Sequence, residues 1–250
     1  MMVDSAKKSR AWLESVLRST GYNPADLFYY FVLISAPILL TIYRCCGEAQ
    51  NFLVYLPALE NSGQGEVYAY LLEYLFFFIL MLAIPLLIST VYGKSDMLKS
   101  LFAFTGLRKN LLWSLLAILA VVLPSAYHAS SIPSVFAEYP LPRTLLQNQQ
   151  LLPAYFLGLF FLYYLPWEFF FRGFLLFSLK DKYGTIPAIL IQTISSCLVH
   201  IGKPTPEIIG SIPFGIIFGI IAIRTKNIWI VVLLHAALGI FTDLFIIYQG

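Results

Sequence analysis

LLPAYFLGLFFLYYLPWEFFFRGFLLFS, residues 151–178, carries no charge except Glu168 and Arg172. An α-helix needs about 20 apolar residues to cross a bilayer, so this stretch reads as a membrane-spanning helix. Ionisable groups at that depth are costly, and they face a protein interior or a wet cavity and take a partner. Glu168 and Arg172 are four apart, on one helical face, which places them as an ion pair. A pair at depth costs far less than either charge alone. Pro166 cannot donate to the carbonyl of Leu162, which predicts a bend just before the pair. Trp167 and Phe169–Phe171 give the carboxylate aromatic walls. Such a pair either only fixes helix packing or serves chemistry.

Outward from this helix, six more apolar segments can be drawn: 25–43, 67–92, 111–127, 186–200, 207–223 and 228–248. The chain is 59% hydrophobic and 12% charged, more apolar surface than a soluble domain of this length can bury. The expectation is an all-α, polytopic membrane bundle of about seven transmembrane helices. Segments 186–200 and 207–223 are short and broken by Gly and Pro, as beside a functional cavity. Three stretches follow: a cytoplasmic amphipathic segment at 1–24, membrane helices with an external loop at 25–150, and a membrane core carrying the Glu168–Arg172 pair at 151–250. In the first, Trp12, Leu13, Val16 and Leu17 share a face opposite Lys8 and Glu14.

Positive charge sets the orientation. Of the 16 basic residues, twelve fall on one side of a seven-span arrangement, among them Lys7, Lys8, Lys94, Lys180, Arg224 and Lys226. Only Arg44, Arg143 and Lys203 fall on the other, and Arg172 lies within a span. The amino terminus is therefore expected in the cytoplasm and the carboxyl terminus outside, most simply in the plasma membrane. A net charge of +3, spread along the chain, excludes nucleic acid as a partner. Three cysteines, two of them adjacent, make no disulfide framework. No secretory signal peptide is evident.

Two histidines join the pair. His200 ends a short span, followed by Gly202, Pro204 and Pro206. His235 lies nearly two turns inside the last span. At about 1.5 Å per residue, Glu168, His200 and His235 lie roughly 15, 20 and 10 Å from the cytoplasmic face, close enough in depth to share one cavity. That cavity is expected to open toward the cytoplasm or inner leaflet. Glu73 reads as a water-exposed carboxylate near the outer surface, and His128 as a solvated residue with no role.

These elements resemble the CAAX-protease and bacteriocin-processing (CPBP, or Abi) family of intramembrane endopeptidases. Glu168-Phe-Phe-Phe-Arg172-Gly173-Phe174-Leu175 resembles its Glu-Glu-x-x-x-Arg motif. Cys197-Leu-Val-His200 resembles the end of Phe-x-x-x-His, and Trp229 through His235 the approach to His-x-x-x-Asn/Asp. Gly215-x-x-x-Gly219 and the turn Arg224-Thr-Lys226-Asn are similar to the family's link between the last two motifs. The resemblance implies a CAAX-protease-like fold. It implies that a glutamate and His200 activate water, while His235 with an Asn/Asp partner stabilises an oxyanion. Three positions depart from the family: Trp167 for the first glutamate, Ser196 for the phenylalanine and Gly239 for the Asn/Asp. Asp243 is the nearest substitute for the last.

The leading reading is a glutamic-type intramembrane endopeptidase acting on a membrane-embedded or membrane-anchored peptide or protein tail. Its catalytic residues are Glu168, Arg172, His200 and His235, and it needs no cofactor. Glu168 is the base, helped by His200; His235 polarises the scissile carbonyl and Arg172 orients Glu168. The alternative is an inactive relative that binds a membrane peptide or partner. Zinc held by Glu168, His200 and His235 is a third reading; no His-Glu-x-x-His supports it, and Arg172 opposes a cation. A transporter is a fourth, without the matched repeats such proteins carry.

Overall fold

Seven apolar helices carry the fold. The computed structural model describes residues 11–17 and 19–249. Helix α1 spans Pro24–Cys46, α2 Gly65–Val91, α3 Asn110–Ser130, α4 Leu152–Tyr183, α5 Thr185–Val199, α6 Thr205–Thr225 and α7 Trp229–Gln249. Among the described residues there is no strand. Six of the seven are long and apolar enough to cross a membrane; α5, with 15 residues, is shorter. Helix α6 is longer than its sequence implies, at 21 residues. Pro206 does not break the chain before it but sits in its first turn, where a missing N–H costs nothing.

Contacts at the helix ends define two faces. On one, Lys182 at the end of α4 pairs with Asp26 at the start of α1, 2.7 Å apart. On the same face, Asn227 donates to the Ala103 carbonyl at 2.8 Å and Trp229 Nε1 to the Phe102 carbonyl at 2.9 Å. On the other, Lys203 pairs with Glu138 at 2.9 Å, and the Arg44 guanidinium lies 3.5 Å from the Ile201 carbonyl. Helix α5 therefore runs from one face to the other despite its length. Trp229 and Asn227 lock the α6–α7 turn, where Lys226 takes a left-handed conformation (φ 50°) and the Trp229 N–H donates to Asn227 Oδ1 at 2.9 Å.

Proline shapes the helix interiors. Short π-helical turns occupy Ile79–Ala83, Ile118–Val122 and Leu159–Tyr164. Each ends two residues before a proline: Pro85, Pro124 and Pro166. A proline leaves the carbonyl four residues back without its donor, and the helix relaxes there into a wider turn. The bend expected at Pro166 is this turn. A further π stretch, Phe169–Leu175, follows without a proline and carries Arg172.

Helices α5 and α6 approach closely because Gly215 and Gly219 face α5. A side-chain carbon at Gly215 would lie 2.8 Å from Thr193, and one at Gly219 would lie 3.2 Å from Gln192. Gln192 uses the gap to donate to the Gly215 carbonyl at 2.8 Å. Small residues at such spacing let membrane helices pack backbone to backbone. This contact sets where the start of α6 stands relative to the end of α5.

Two surface expectations meet different fates. Residues 11–17 are helical with Trp12 and Leu13 exposed, while Lys8, on the opposite face of the expected helix, lies outside the described residues. Glu73 is not the water-exposed carboxylate that its position suggests. It is buried, takes the Tyr43 hydroxyl on one oxygen and receives the Ala49 N–H at 2.8 Å on the other. The helix Ala49–Tyr55 folds back over α2 and leaves its first N–H groups without intrahelical partners, and the carboxylate satisfies one of them.

Candidate active site

A cavity of about 400 Å³ lies among α3, α4, α6 and α7, roofed by the 131–142 connection. His200 and His235 both line it, as do Tyr164, Trp167, Glu207 and Asp243. Its far end reaches Arg172 and Phe218, and its near end is bounded by Tyr139, Lys203 and Pro206. Its polar end thus lies on the face with few basic residues, opposite to the face expected from residue depth. His128, given no role by its sequence context, lines the near end as well.

His200 caps α5. Its Nδ1 lies 2.7 Å from the Ser196 carbonyl oxygen, so Nδ1 carries the proton and Nε2 turns a lone pair toward the cavity. Ser196, at the position of the family's phenylalanine, thereby orients the ring through its main chain.

His235 and Glu168 meet directly. His235 Nδ1 lies 2.6 Å from Glu168 Oε1. Arg172 Nη1 donates to the same oxygen at 3.4 Å, and its Nε lies 3.3 Å from Oε2 without hydrogen-bond alignment. The guanidinium also sits over Phe171 and Phe218, 5.9 and 5.7 Å from their ring centres. Glu168 is 0% exposed and His235 21%, and only the histidine reaches the cavity. The three residues Glu168, Arg172 and His235 form one cluster, with Glu168 and Arg172 buried and His235 at its cavity edge. His200 stands apart from them, across the ring of Trp167.

Trp167 decides that separation. Its indole lies edge-on to both imidazoles, 5.2 Å from His200 and 6.0 Å from His235 between ring centres. The family's first glutamate would project into that same space. Phe77 stacks on the far side of the indole at 5.8 Å, so the ring is held in place.

The second departure is also filled. A side-chain carbon built on Gly239 would collide with the Tyr164 hydroxyl. Tyr164 packs against His235 at 4.8 Å, and its hydroxyl has no hydrogen-bond partner among the described residues. A phenol group therefore stands where the family's Asn or Asp side chain begins. Asp243 lines the same cavity, and its carboxylate accepts from the Tyr155 hydroxyl at 2.8 Å.

Sequence reading missed Glu207. It lies in the first turn of α6, where an acidic group complements the helix dipole, and that bland reading hides it. Its Oε2 accepts from Tyr139 at 2.7 Å and its Oε1 stands 3.9 Å from His200 Nε2. Burial, and next the Glu207 charge, hold the Tyr139 phenol well above its usual range, so it stays a donor. The available signal was a carboxylate seven residues after His200, at the mouth of an otherwise apolar span. Among the described residues, no three His, Cys, Asp or Glu side chains are grouped to hold a metal ion.

Residues 149–241 match the Rce1-like family model, described as type II CAAX prenyl endopeptidase Rce1-like. The resemblance to the CPBP family is borne out over that region, and it points to a peptidase of the membrane. No curated protein and no solved structure matches the chain.

Proposed function

We propose, from the Rce1-like match, that this chain is an intramembrane endopeptidase that cleaves a membrane-anchored peptide or protein tail with an activated water. The observation that carries the reading is the convergence of His200 and His235, from different helices, on one cavity. His200 Nε2 accepts a hydrogen bond from the water and orients it. His235 faces the scissile carbonyl, and its imidazolium form donates to the oxyanion as carbonyl charge develops. Glu168 is a positioning residue rather than the base: it holds Nδ1 of His235, and Arg172 holds the carboxylate in turn. The Tyr164 hydroxyl adds a second oxyanion donor. These roles require no metal.

Substrate enters sideways in this reading. Helix α3 packs along α7 and α6 along α5, and the cavity separates α3 from α6 between Ser125, Ala129, Gly210 and Phe214. An apolar tail slides in from the lipid there, and its peptide end meets the histidines.

One observation favours the second reading, a protein that binds such a tail without cutting it: Trp167 occupies the site of the family's first glutamate. Purified protein in nanodiscs, given a quenched fluorogenic farnesylated CAAX peptide, separates the two. The peptidase reading expects cleavage, and a loss of about 10²- to 10⁴-fold in His200→Ala, the range for removing a member of the acid–base machinery. Saturable binding of the peptide with no cleavage by the wild type would favour the binding protein.

The protein sits in the plasma membrane in this proposal, amino terminus inside, with the cavity's polar end outside. Cys45 and Cys46 are exposed at that end of α1 and report on the orientation. A membrane-impermeant maleimide should label them in intact cells. Labelling that appears only after permeabilisation would invert the topology.

A further inference from the structure

We propose that Glu207, on the opposite side of the cavity from the family's motif, is the carboxylate that activates water here, acting with His200. The assignment rests on the peptidase reading and supplies what Trp167 removes from it.

The geometry is that of a shared water. Glu207 Oε1 and His200 Nε2 are 3.9 Å apart, too far for a direct hydrogen bond and suited to one bridging molecule. A water about 2.8 Å from each acceptor subtends an angle of about 90° at its oxygen, close to the H–O–H angle. Both of its protons then point at protein acceptors, and its lone pairs point into the cavity. Each acceptor is oriented from behind. The Ser196 carbonyl fixes the His200 ring at 2.7 Å, and the Tyr139 hydroxyl occupies Glu207 Oε2 at 2.7 Å, leaving Oε1 free. The close α5–α6 packing at Gly215 and Gly219 keeps the two acceptors in register. Trp167 flanks His200 edge-on and keeps the site dry on its inner side.

The chemistry balances with these groups alone. Water gives one proton to Glu207, and its oxygen bonds to the scissile carbonyl carbon. The carbonyl π electrons move to oxygen, where His235 and Tyr164 donate. Collapse re-forms the carbonyl and breaks the C–N bond, and the proton on Glu207 passes to the departing amine. Glu207 is again a carboxylate, and the products are a carboxylic acid and an amine.

The test uses full-length protein in nanodiscs with the same fluorogenic farnesylated peptide and thermal melting on each variant. Glu207→Gln is expected to lower turnover about 10²- to 10⁴-fold, and Glu207→Asp, which keeps a carboxylate, to recover at least tenfold over Gln. Tyr139→Phe frees Oε2 and is expected to cost threefold or more without lowering the melting temperature as far as a core substitution. Cleavage by Glu207→Gln within threefold of wild type, with His200→Ala inactive, overturns the role of Glu207 and leaves the peptidase reading standing. If Glu207→Gln fails to fold, Tyr139→Phe decides: a wild-type rate in that variant overturns the proposal. No cleavage by the wild type overturns the peptidase reading and this assignment together.

Discussion

Glu168→Gln is expected to lose folded protein as well as turnover. The substitution removes the anionic partner of a guanidinium that is 3% exposed and turned toward aromatic rings. Removing one member of a buried ion pair leaves the other charge uncompensated, at a cost of about 3–5 kcal/mol. It also exchanges the carboxylate contact at His235 Nδ1, now 2.6 Å, for one to a neutral amide and so weakens the anchor that orients the ring. Thermal melting in detergent should show the first effect, and turnover a loss of roughly 100-fold or more, the size expected when an oxyanion donor is disabled. The double variant Glu168→Gln with Arg172→Met separates the two effects. With no orphaned charge left, its stability should return toward wild type, because a buried pair replaced by apolar or neutral groups is often neutral. Its turnover should stay low, because His235 remains unanchored. Wild-type stability and turnover in Glu168→Gln alone would remove Glu168 from the site.

Gly239→Asn, which restores the residue the family carries, is expected to damage this protein. The new side chain would start where the Tyr164 hydroxyl now stands, and that ring is confined by His235 at 4.8 Å and Tyr163 at 5.7 Å. Overpacking of a filled interior costs about 1–3 kcal/mol and forces side chains off their rotamers. Melting should fall, and turnover with it, since Tyr164 and His235 shift together. Pairing the change with Tyr164→Ala makes room, and that double variant should melt above Gly239→Asn alone. A single Gly239→Asn that is as stable as wild type and faster would mean that Tyr164 is a passive filler and the family's own geometry still applies.

Much of this protein was readable before any coordinates. Helix period and length gave the bundle, because apolar runs of about 20 residues have no other use in a chain this hydrophobic. The bend at Pro166 followed from a missing N–H, a property of one residue that context cannot supply. The Glu168–Arg172 pair followed from a spacing of four. The order of Glu168–Arg172, His200 and His235 carried the family resemblance, because each motif lies within one helix or its end. Helix ends were less legible: Pro206 reads as a breaker and is instead the first turn of α6, since only the surrounding chain says on which side of a proline a helix lies.

Contacts between distant segments were beyond that reading. Glu73 lies about two turns from a helix start in either view, yet whether water or the Ala49 amide meets it depends on a fold-back 24 residues away in sequence. Depth along each helix placed Glu168, His200 and His235 at one level, but not their rotation about the helix axes. That rotation sends Glu168 toward Arg172 and His235 and leaves His200 beyond Trp167. The replacements for Trp167 and Gly239 are likewise tertiary. Tyr164 fills the space at Gly239 from another helix, and Glu207 reaches His200 only because two glycines draw α6 against α5. Sequence by itself determined which residues are helical and which charges must lie within the membrane, since both follow from local propensity and solvation. Only the tertiary structure decided which of those charges faces the cavity, because that is set by how the helices pack, and packing depends on every side chain at the contact.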